Sequence, residues 1–199
     1  MLIELSFLKD DIRLGRKATS SDCATRLKEY SILKMIQLAT RSDMSHVDIS
    51  MCHADGSVSS YCIFNGGEVF RRFRKNYARR KGYLHRAMDV TPAKFEAVHR
   101  YLETQRTKKL KFSMRGMLGC ALPSWVNTLP ENTTFCSHLV TSALIVGKVF
   151  PASEDTAKRL GIRGILDPAK TSPGRLFRYL QNNSETLVVT IAANPACVV

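Results

Sequence analysis

The sequence predicts an α+β fold in which an antiparallel sheet packs against helices within a single domain, residues 1–199. Three short runs of alternating apolar and polar residues follow one another between glycine-containing turns, which is typical of an antiparallel meander. Other segments carry apolar residues at helical spacing behind Ser-Pro or Thr-Pro pairs, which often begin helices. A chain of 199 residues is also long enough to bury a sizeable core as one domain.

The strands are predicted from alternation and from the turn residues between them. Asp55 followed by Gly56 is a favoured hairpin turn, and Asn65 followed by two glycines gives a second turn. Short apolar runs near the two ends of the sequence add further strands. In chain order, the predicted strands are residues 1–7, 46–52, 57–64, 68–73 and 186–192.

The predicted helices lie on both sides of the meander. The first spans residues 21–39, after an N-terminal segment of residues 1–20, so that residues 21–64 hold a helix followed by the strands around His46. Thr91 caps a later helix whose first residue is a proline, and Ser172 caps another of the same kind. Residues 118–130 are punctuated by prolines and predict an irregular connection.

Charge and cysteine content narrow the classes of function. The net charge of +13 predicts affinity for a polyanionic partner. Of the six cysteines, Cys52 and Cys62 lie near His53, but three ligands at uneven spacing do not predict a metal site, and no cofactor is expected. Scattered cysteines without a signal peptide or an apolar span favour reduced thiols in a cytoplasmic or intracellular compartment, with a virion or a host cell also compatible.

One histidine and one cysteine stand at positions that suit nucleophilic chemistry. His46 opens a strand-like run, and Cys136 opens a helix within residues 133–147 that Thr133 or Thr134 can cap and that runs to about residue 146. A helix N-terminus favours the thiolate, and an imidazole can take the thiol proton, so the two residues are a candidate nucleophile and base. In the alternative interpretation, Cys136 is a small buried packing residue and His46 a hydrogen-bonded core histidine.

Three stretches in this order resemble the circularly permuted papain-like hydrolases of the NlpC superfamily (the YiiX/YebB-like group). They are ILKMIQLATRSDMSHVDI at 32–49, FCSHLVTSAL at 135–144 and SPGRLFRYL at 172–180. The resemblance covers most of residues 28–190 and implies a permuted papain-like topology.

The same resemblance implies a catalytic role for three residues. Cys136 would be the nucleophile, His46 the base, and the residue that orients the imidazole would lie on the next strand, where alignment with the family places Ser60. A serine cannot stabilise an imidazolium as a carboxylate does, so Asp48 or a backbone carbonyl is the alternative orienting group. His138, where the family often has an acid, is expected to be a surface or supporting histidine.

The function that follows is thiol hydrolysis of an amide bond by an amidase or peptidase, with an ester or thioester as the other option. The substrate would be a peptide or acyl compound, and the Cys136 backbone N–H would be one of two oxyanion donors, the second being unassigned.

A run of basic residues interleaved with aromatic residues suggests a second kind of function. Such a run suits nucleic acid, an acidic protein surface or anionic phospholipid, although a solvated charged face is the simpler interpretation. The rival function is a non-catalytic binding or structural module of the same fold, for example a virus-associated protein. The residues of this basic run are Arg71, Arg72, Arg74, Lys75, Arg79, Arg80 and Lys81.

Overall fold

The structure, a computed structural model, describes residues 1–9, 31, 34–64, 66–75, 83–120, 129–187 and 189–191. Two sheets are formed by strands numbered along the chain. These are β1 Leu2–Lys9, β2 Met44–Cys52, β3 Val58–Cys62, β4 Phe70–Arg74, β5 Tyr83–Asp89, β6 Lys111–Phe112, β7 Thr133–Thr134 and β8 Val189–Ile191. The larger sheet is antiparallel throughout, in the order β4-β3-β2-β1-β5-β8, and β6 pairs with β7 in a short parallel ladder.

Helices occupy the second half of the described chain, and residues 34–40 are helical ahead of β2. The remainder of the predicted helix at 21–39 lies outside the described residues, apart from residue 31, which is also helical. The helices with described bounds are α1 Pro92–Thr107, α2 Met114–Gly119, α3 Cys136–Val146, α4 Glu154–Arg159 and α5 Pro173–Asn182, together with a 3₁₀ helix at Pro168–Lys170. The predicted α+β fold with an antiparallel sheet and helices is therefore confirmed.

The predicted meander corresponds to β2, β3 and β4, and the turn between β2 and β3 forms where Asp55-Gly56 predicts it. The N–H of His53 donates to the carbonyl of Ser57 at 2.8 Å, and Gly56 has a φ of 79°, a left-handed conformation that glycine adopts without strain. The sequence analysis assigned no strand to β5, which pairs with β1. As a result, the N-terminal strand β1 is central, with β2 on one side and β5 on the other.

The helix starts follow the capping pattern in two cases and depart from it in a third. Thr91 accepts a hydrogen bond from the Lys94 N–H at 3.4 Å, and Ser172 caps α5 in the same way. The prediction that Thr133 or Thr134 caps the cysteine-bearing helix is wrong. These threonines form β7, and the N-cap of α3 is Phe135, whose side chain makes no capping hydrogen bond.

One face of the large sheet carries apolar side chains that meet α5. Alternation along β2 places Val47, Ile49 and Met51 on one face, and all three are fully buried. The adjacent strand β1 adds Phe7 to that face, where its ring meets Phe177 of α5 at a centroid distance of 5.1 Å. Each of these apolar side chains contributes about 1.5–3 kcal/mol on burial, so this face anchors the sheet to the helices.

The helix that carries the cysteine lies against the strand that carries the histidine, since α3 packs on β2 as well as on α1 and α5. No helix in the described part of the chain is both long enough and apolar enough to cross a membrane.

Candidate active site

His46 lies in the first half of β2, at a point where the sheet is irregular. It pairs with Leu8 of β1, immediately beside a break in register between Leu8 and Lys9. On the other side, the ladder between β2 and β3 begins only at Ile49. The ring of Phe64, just beyond β3, stacks on the imidazole at a centroid distance of 4.6 Å. Irregular strand geometry of this kind often occurs next to active sites, where it directs a side chain away from the regular ladder.

The imidazole of His46 is hydrogen-bonded to a carboxylate from its own strand. His46 and Asp48 are two residues apart, so alternation places both side chains on the same face of the sheet. The His46 Nε2–H donates to Asp48 Oδ1 at 2.7 Å, and the two side chains are only 5% and 7% exposed. A short, buried, charge-assisted hydrogen bond fixes both the orientation of the ring and the nitrogen that carries the proton.

The same imidazole also reaches the thiol of Cys136. Cys136 is the first residue of α3 and is 2% exposed, and it lies close enough to His46 for its charge and its hydrogen-bonding capacity to raise the pKa of the imidazole. One histidine ring thus joins a carboxylate and a thiol within a largely buried site. This is the arrangement of nucleophile, base and orienting group that thiol catalysis requires.

The surroundings keep His46 protonated at neutral pH. Burial by itself lowers the pKa of His46, because it disfavours the charged ring, but the negative charges of Asp48 and Cys136 and the hydrogen bonds to both outweigh it. The net effect raises the pKa of His46 from 6.5 to about 10. An imidazolium beside the sulfur can act as the acid that protonates a leaving group.

The first turn of α3 offers backbone donors beside the sulfur. Phe135 has no side-chain oxygen to cap these N–H groups, and its carbonyl is used by the Leu139 N–H at 2.9 Å. Within the described part of the chain, no acceptor bonds the N–H groups of residues 136–138. Uncapped N–H groups at a helix start can bind an oxyanion that develops next to the nucleophile.

Ser60, the residue expected to orient the imidazole, lies elsewhere on the sheet. The register of β2 and β3 places Ser60 directly opposite Ser50, and their hydroxyl groups are hydrogen-bonded at 2.8 Å. Ser50 is four residues along the strand from His46, a separation of about 13 Å. The structure therefore brings His46, Asp48 and Cys136 together but not Ser60, because the residue that stands across from His46 is Phe64.

His138 and Cys120 flank the site without joining the hydrogen bonds of His46. His138 Nδ1 is paired with the Thr134 hydroxyl at 2.9 Å, and burial lowers its pKa, which favours the neutral ring. The Cys120 thiol donates to the Met117 carbonyl at 2.9 Å. Burial and the nearby charge of Cys136 raise the pKa of Cys120 to about 12, so this second thiol stays protonated at neutral pH.

A second buried histidine–carboxylate pair, which the sequence analysis missed, lies on β1 and β5. His85 Nδ1 is 2.9 Å from Glu4 Oε1 and 3.0 Å from the Ser6 hydroxyl. A catalytic histidine contacts its nucleophile and its orienting carboxylate through different nitrogens. Here both contacts share one nitrogen, so the cluster lacks that geometry.

The described part of the basic run forms the edge strand β4 and the residue after it. Arg71 pairs with Glu103 of α1 at 2.9 Å, while the Arg72 guanidinium lies 5.1 Å from the centre of the Phe70 ring. Charged residues on an edge strand also discourage pairing with other chains. Arg74 is the last residue of β4, and Lys75 comes directly after it. The other three basic residues of the run, Arg79, Arg80 and Lys81, lie outside the described residues.

The residues considered as metal ligands do not converge. The ring of His53 is hydrogen-bonded to the Ser59 hydroxyl at 3.0 Å, whereas Cys52 and Cys62 belong to two different strands. Over the ranges that the structure describes, no group of three or more His, Cys, Asp or Glu side chains is arranged to hold a metal ion.

Comparisons with protein-family models, with curated proteins and with solved structures gave no match to this chain. The chemistry of the site is therefore argued from its geometry and its residue types.

Proposed function

We propose that this chain is a cysteine hydrolase that cleaves an amide, ester or thioester bond, with Cys136 as nucleophile, His46 as base and acid, and Asp48 as the orienting carboxylate. The observation that carries the proposal is that a single imidazole is hydrogen-bonded to a buried carboxylate and also lies beside the thiol of Cys136. A histidine with a purely structural role could lie beside a carboxylate, or beside a thiol. The two together match the requirements of a thiol nucleophile and its base.

The proposed reaction proceeds in two steps. The Cys136 sulfur attacks the acyl carbon and forms a C–S bond, while N–H groups at the start of α3 stabilise the oxyanion. The His46 imidazolium then gives its proton to the leaving nitrogen, oxygen or sulfur as that bond breaks. Neutral His46 next takes a proton from water, whose oxygen attacks the thioester and releases the acid. Asp48 holds the ring in place and stabilises its protonated form throughout.

A circularly permuted papain-like topology, like that of the NlpC superfamily group, is part of this proposal. It is supported by the order of the elements, because the histidine strand β2 precedes the cysteine helix α3, and by the packing of α3 on β2. An intracellular setting, including that of a viral protein in its host cell, is also proposed. It is supported by the thiols of Cys120 and Cys136, which form no disulfide with a described residue.

The proposal is tested by acylation of the protein with p-nitrophenyl acetate, a small activated ester. We expect an initial burst of p-nitrophenol and an acetyl group that peptide mass spectrometry locates on Cys136. Cys136→Ala and His46→Ala should abolish the burst, whereas Cys120→Ser, which removes a neighbouring thiol, should retain it. A burst that survives Cys136→Ala, or an acetyl group found equally on Cys120, contradicts the proposal.

A second candidate function, a binding module for single-stranded nucleic acid, is favoured by the edge strand β4. Arg72 and Arg74 share one face of this strand with Phe70, whose ring centre lies 5.1 Å from the Arg72 guanidinium, and neither arginine makes an ion pair with a described residue. Guanidinium groups beside aromatic rings suit phosphate contacts and base stacking. The test is salt-dependent binding of a fluorescent oligonucleotide, which should weaken in Arg72→Gln and Arg74→Gln and persist in Cys136→Ala.

A further inference from the structure

A cavity of about 410 Å³ lies where α5 crosses the sheet, at neighbouring ends of β1, β2 and β5. Its volume falls within the range of small-molecule sites, about 300–1,000 Å³. The apolar part of its wall is formed by Met44, Leu84 and Phe177. A cavity of this size has room for a small organic molecule, and the apolar wall provides contact for its carbon skeleton.

The charged part of the wall is strongly positive. It consists of Lys9, Arg86 and Arg178 with one carboxylate, that of Asp43. The Asp43 carboxylate is already paired with Lys9 at 3.4 Å, and both of these side chains are more than half exposed. The two arginines therefore face the cavity without a carboxylate of their own among the described residues.

Arg86 is held in place by contacts that leave most of its donors unused. Its Nη1 donates to the His85 carbonyl at 3.0 Å, and its guanidinium carbon lies 4.7 Å from the centre of the Phe177 ring. A guanidinium has five N–H donors, of which the described hydrogen bonds use one. Burial lowers the pKa of Arg86, because holding this charge partly out of water disfavours it.

The wall of the cavity also carries neutral donors, from Ser42 and Gln181. Ser42 lies against the start of α5, where a Cβ added to Gly174 would come within 1.8 Å of the Ser42 hydroxyl oxygen. That oxygen accepts the Met44 N–H at 3.0 Å, so its own proton is available to donate. Gln181, one turn beyond Phe177 on α5, places an amide at the same wall.

We propose that this cavity binds a phosphate monoester, with the phosphate between Arg86 and Arg178 and the organic part against Met44, Leu84 and Phe177. Arginine suits this role because its planar fork matches two phosphate oxygens at once. A bound dianion supplies a counter-ion for Arg86, which pairs with no carboxylate among the described residues. The apolar wall accounts for the part of the cavity that a phosphate alone would leave unfilled. The site does not depend on the chemistry of Cys136.

The experiment is calorimetric titration of the protein with phenyl phosphate at fixed ionic strength, with chloride and inorganic phosphate as comparison ions. We expect saturable binding of phenyl phosphate that is tighter than that of inorganic phosphate, because the ring contacts the apolar wall. Arg178→Gln should weaken binding at least about tenfold, since it removes charge-assisted hydrogen bonds. Arg100→Gln, an equal charge change on the exposed face of α1, should leave it unchanged.

Two further variants keep the test decisive. Arg178 is exposed, so its replacement does not threaten folding, whereas Arg86 can be replaced by lysine, which keeps the charge and loses the fork. Arg86→Lys should also weaken binding, and Asp43→Asn should strengthen it by removing the competing negative charge. Binding no stronger than that of chloride, or equal affinities in the wild type and Arg178→Gln, would overturn the proposal.

Discussion

Replacing Asp48 by asparagine removes the buried charge that most strongly favours the protonated form of His46. The carboxylate lies 2.7 Å from His46 Nε2, and burial of the ring opposes protonation. The rise in the pKa of His46 from 6.5 to about 10 corresponds to about 5 kcal/mol in favour of the imidazolium, at about 1.4 kcal/mol per pH unit. An opposite charge at this distance accounts for roughly 1–3 pH units. In Asp48→Asn, we therefore expect the pKa of His46 to fall by about 2, the middle of that range.

The same variant has a consequence for stability whose sign follows from that pKa. Because the pKa of His46 is raised by folding, its contribution to the free energy of unfolding is complete below about pH 6.5 and is lost as the pH rises towards 10. Between pH 6.5 and 9.5, this group lowers the stability of the wild type by up to about 4 kcal/mol. Most of that loss should be absent in Asp48→Asn, which is less stable than the wild type at pH 6.5.

Two measurements check this reasoning. An NMR titration of the His46 ring protons gives its pKa directly, and urea unfolding at pH 6.5 and 9.5 gives the change in stability. Asp89→Asn is a matched control, because it removes an exposed carboxylate from the same sheet and leaves His46 untouched. A wild-type His46 that titrates near 6.5, or a His46 pKa that Asp48→Asn leaves unchanged, would refute the argument.

Three other substitutions separate structural from catalytic roles. Ser60→Ala breaks the 2.8 Å hydrogen bond with Ser50, so it should cost about 1 kcal/mol in urea unfolding and leave acylation by p-nitrophenyl acetate unchanged. Loss of acylation would restore Ser60 to the site. Thr141→Val removes a buried hydroxyl that has no hydrogen-bond partner among the described residues, so thermal unfolding should show equal or higher stability, and a clear loss would reveal a partner. Gly174→Ala forces a Cβ against Ser42 and should destabilise the fold by about 1–3 kcal/mol in urea unfolding, whereas a neutral effect would mean that the start of α5 moves freely.

Local sequence patterns predicted the elements that carry the site because those elements depend on neighbouring residues. Alternation and the Asp55-Gly56 turn predicted β2 and β3, and proline behind a capping residue predicted α1 and α5. The β5 strand was missed because its polar side chains, including His85, are half-buried against β1. A strand whose burial depends on a partner about 80 residues away gives only a weak local signal.

The register of β2 and β3 decides which residue can orient the imidazole of His46. The family resemblance placed the orienting group on the next strand. Allowing for the length of the turn between the two strands then assigned Ser60 to that position. The actual register sets Ser60 opposite Ser50 and leaves Phe64 across from His46. The two-residue spacing of His46 and Asp48 was visible in the sequence. Only the contact with Cys136 distinguishes a catalytic carboxylate from one that merely satisfies a buried histidine.

The central claim, that Cys136 and His46 share one site, is tested most directly by an NMR titration of the His46 ring protons in the wild type and in Cys136→Ala. This measurement does not require a reagent to reach the buried sulfur. The charge of Cys136 and its hydrogen bonding help to raise the pKa of His46 to about 10, so removal of the thiol should lower that pKa. Cys120→Ser, which changes a neighbouring thiol, should leave the pKa of His46 unchanged. A His46 pKa that is the same in the wild type and in Cys136→Ala would contradict the account.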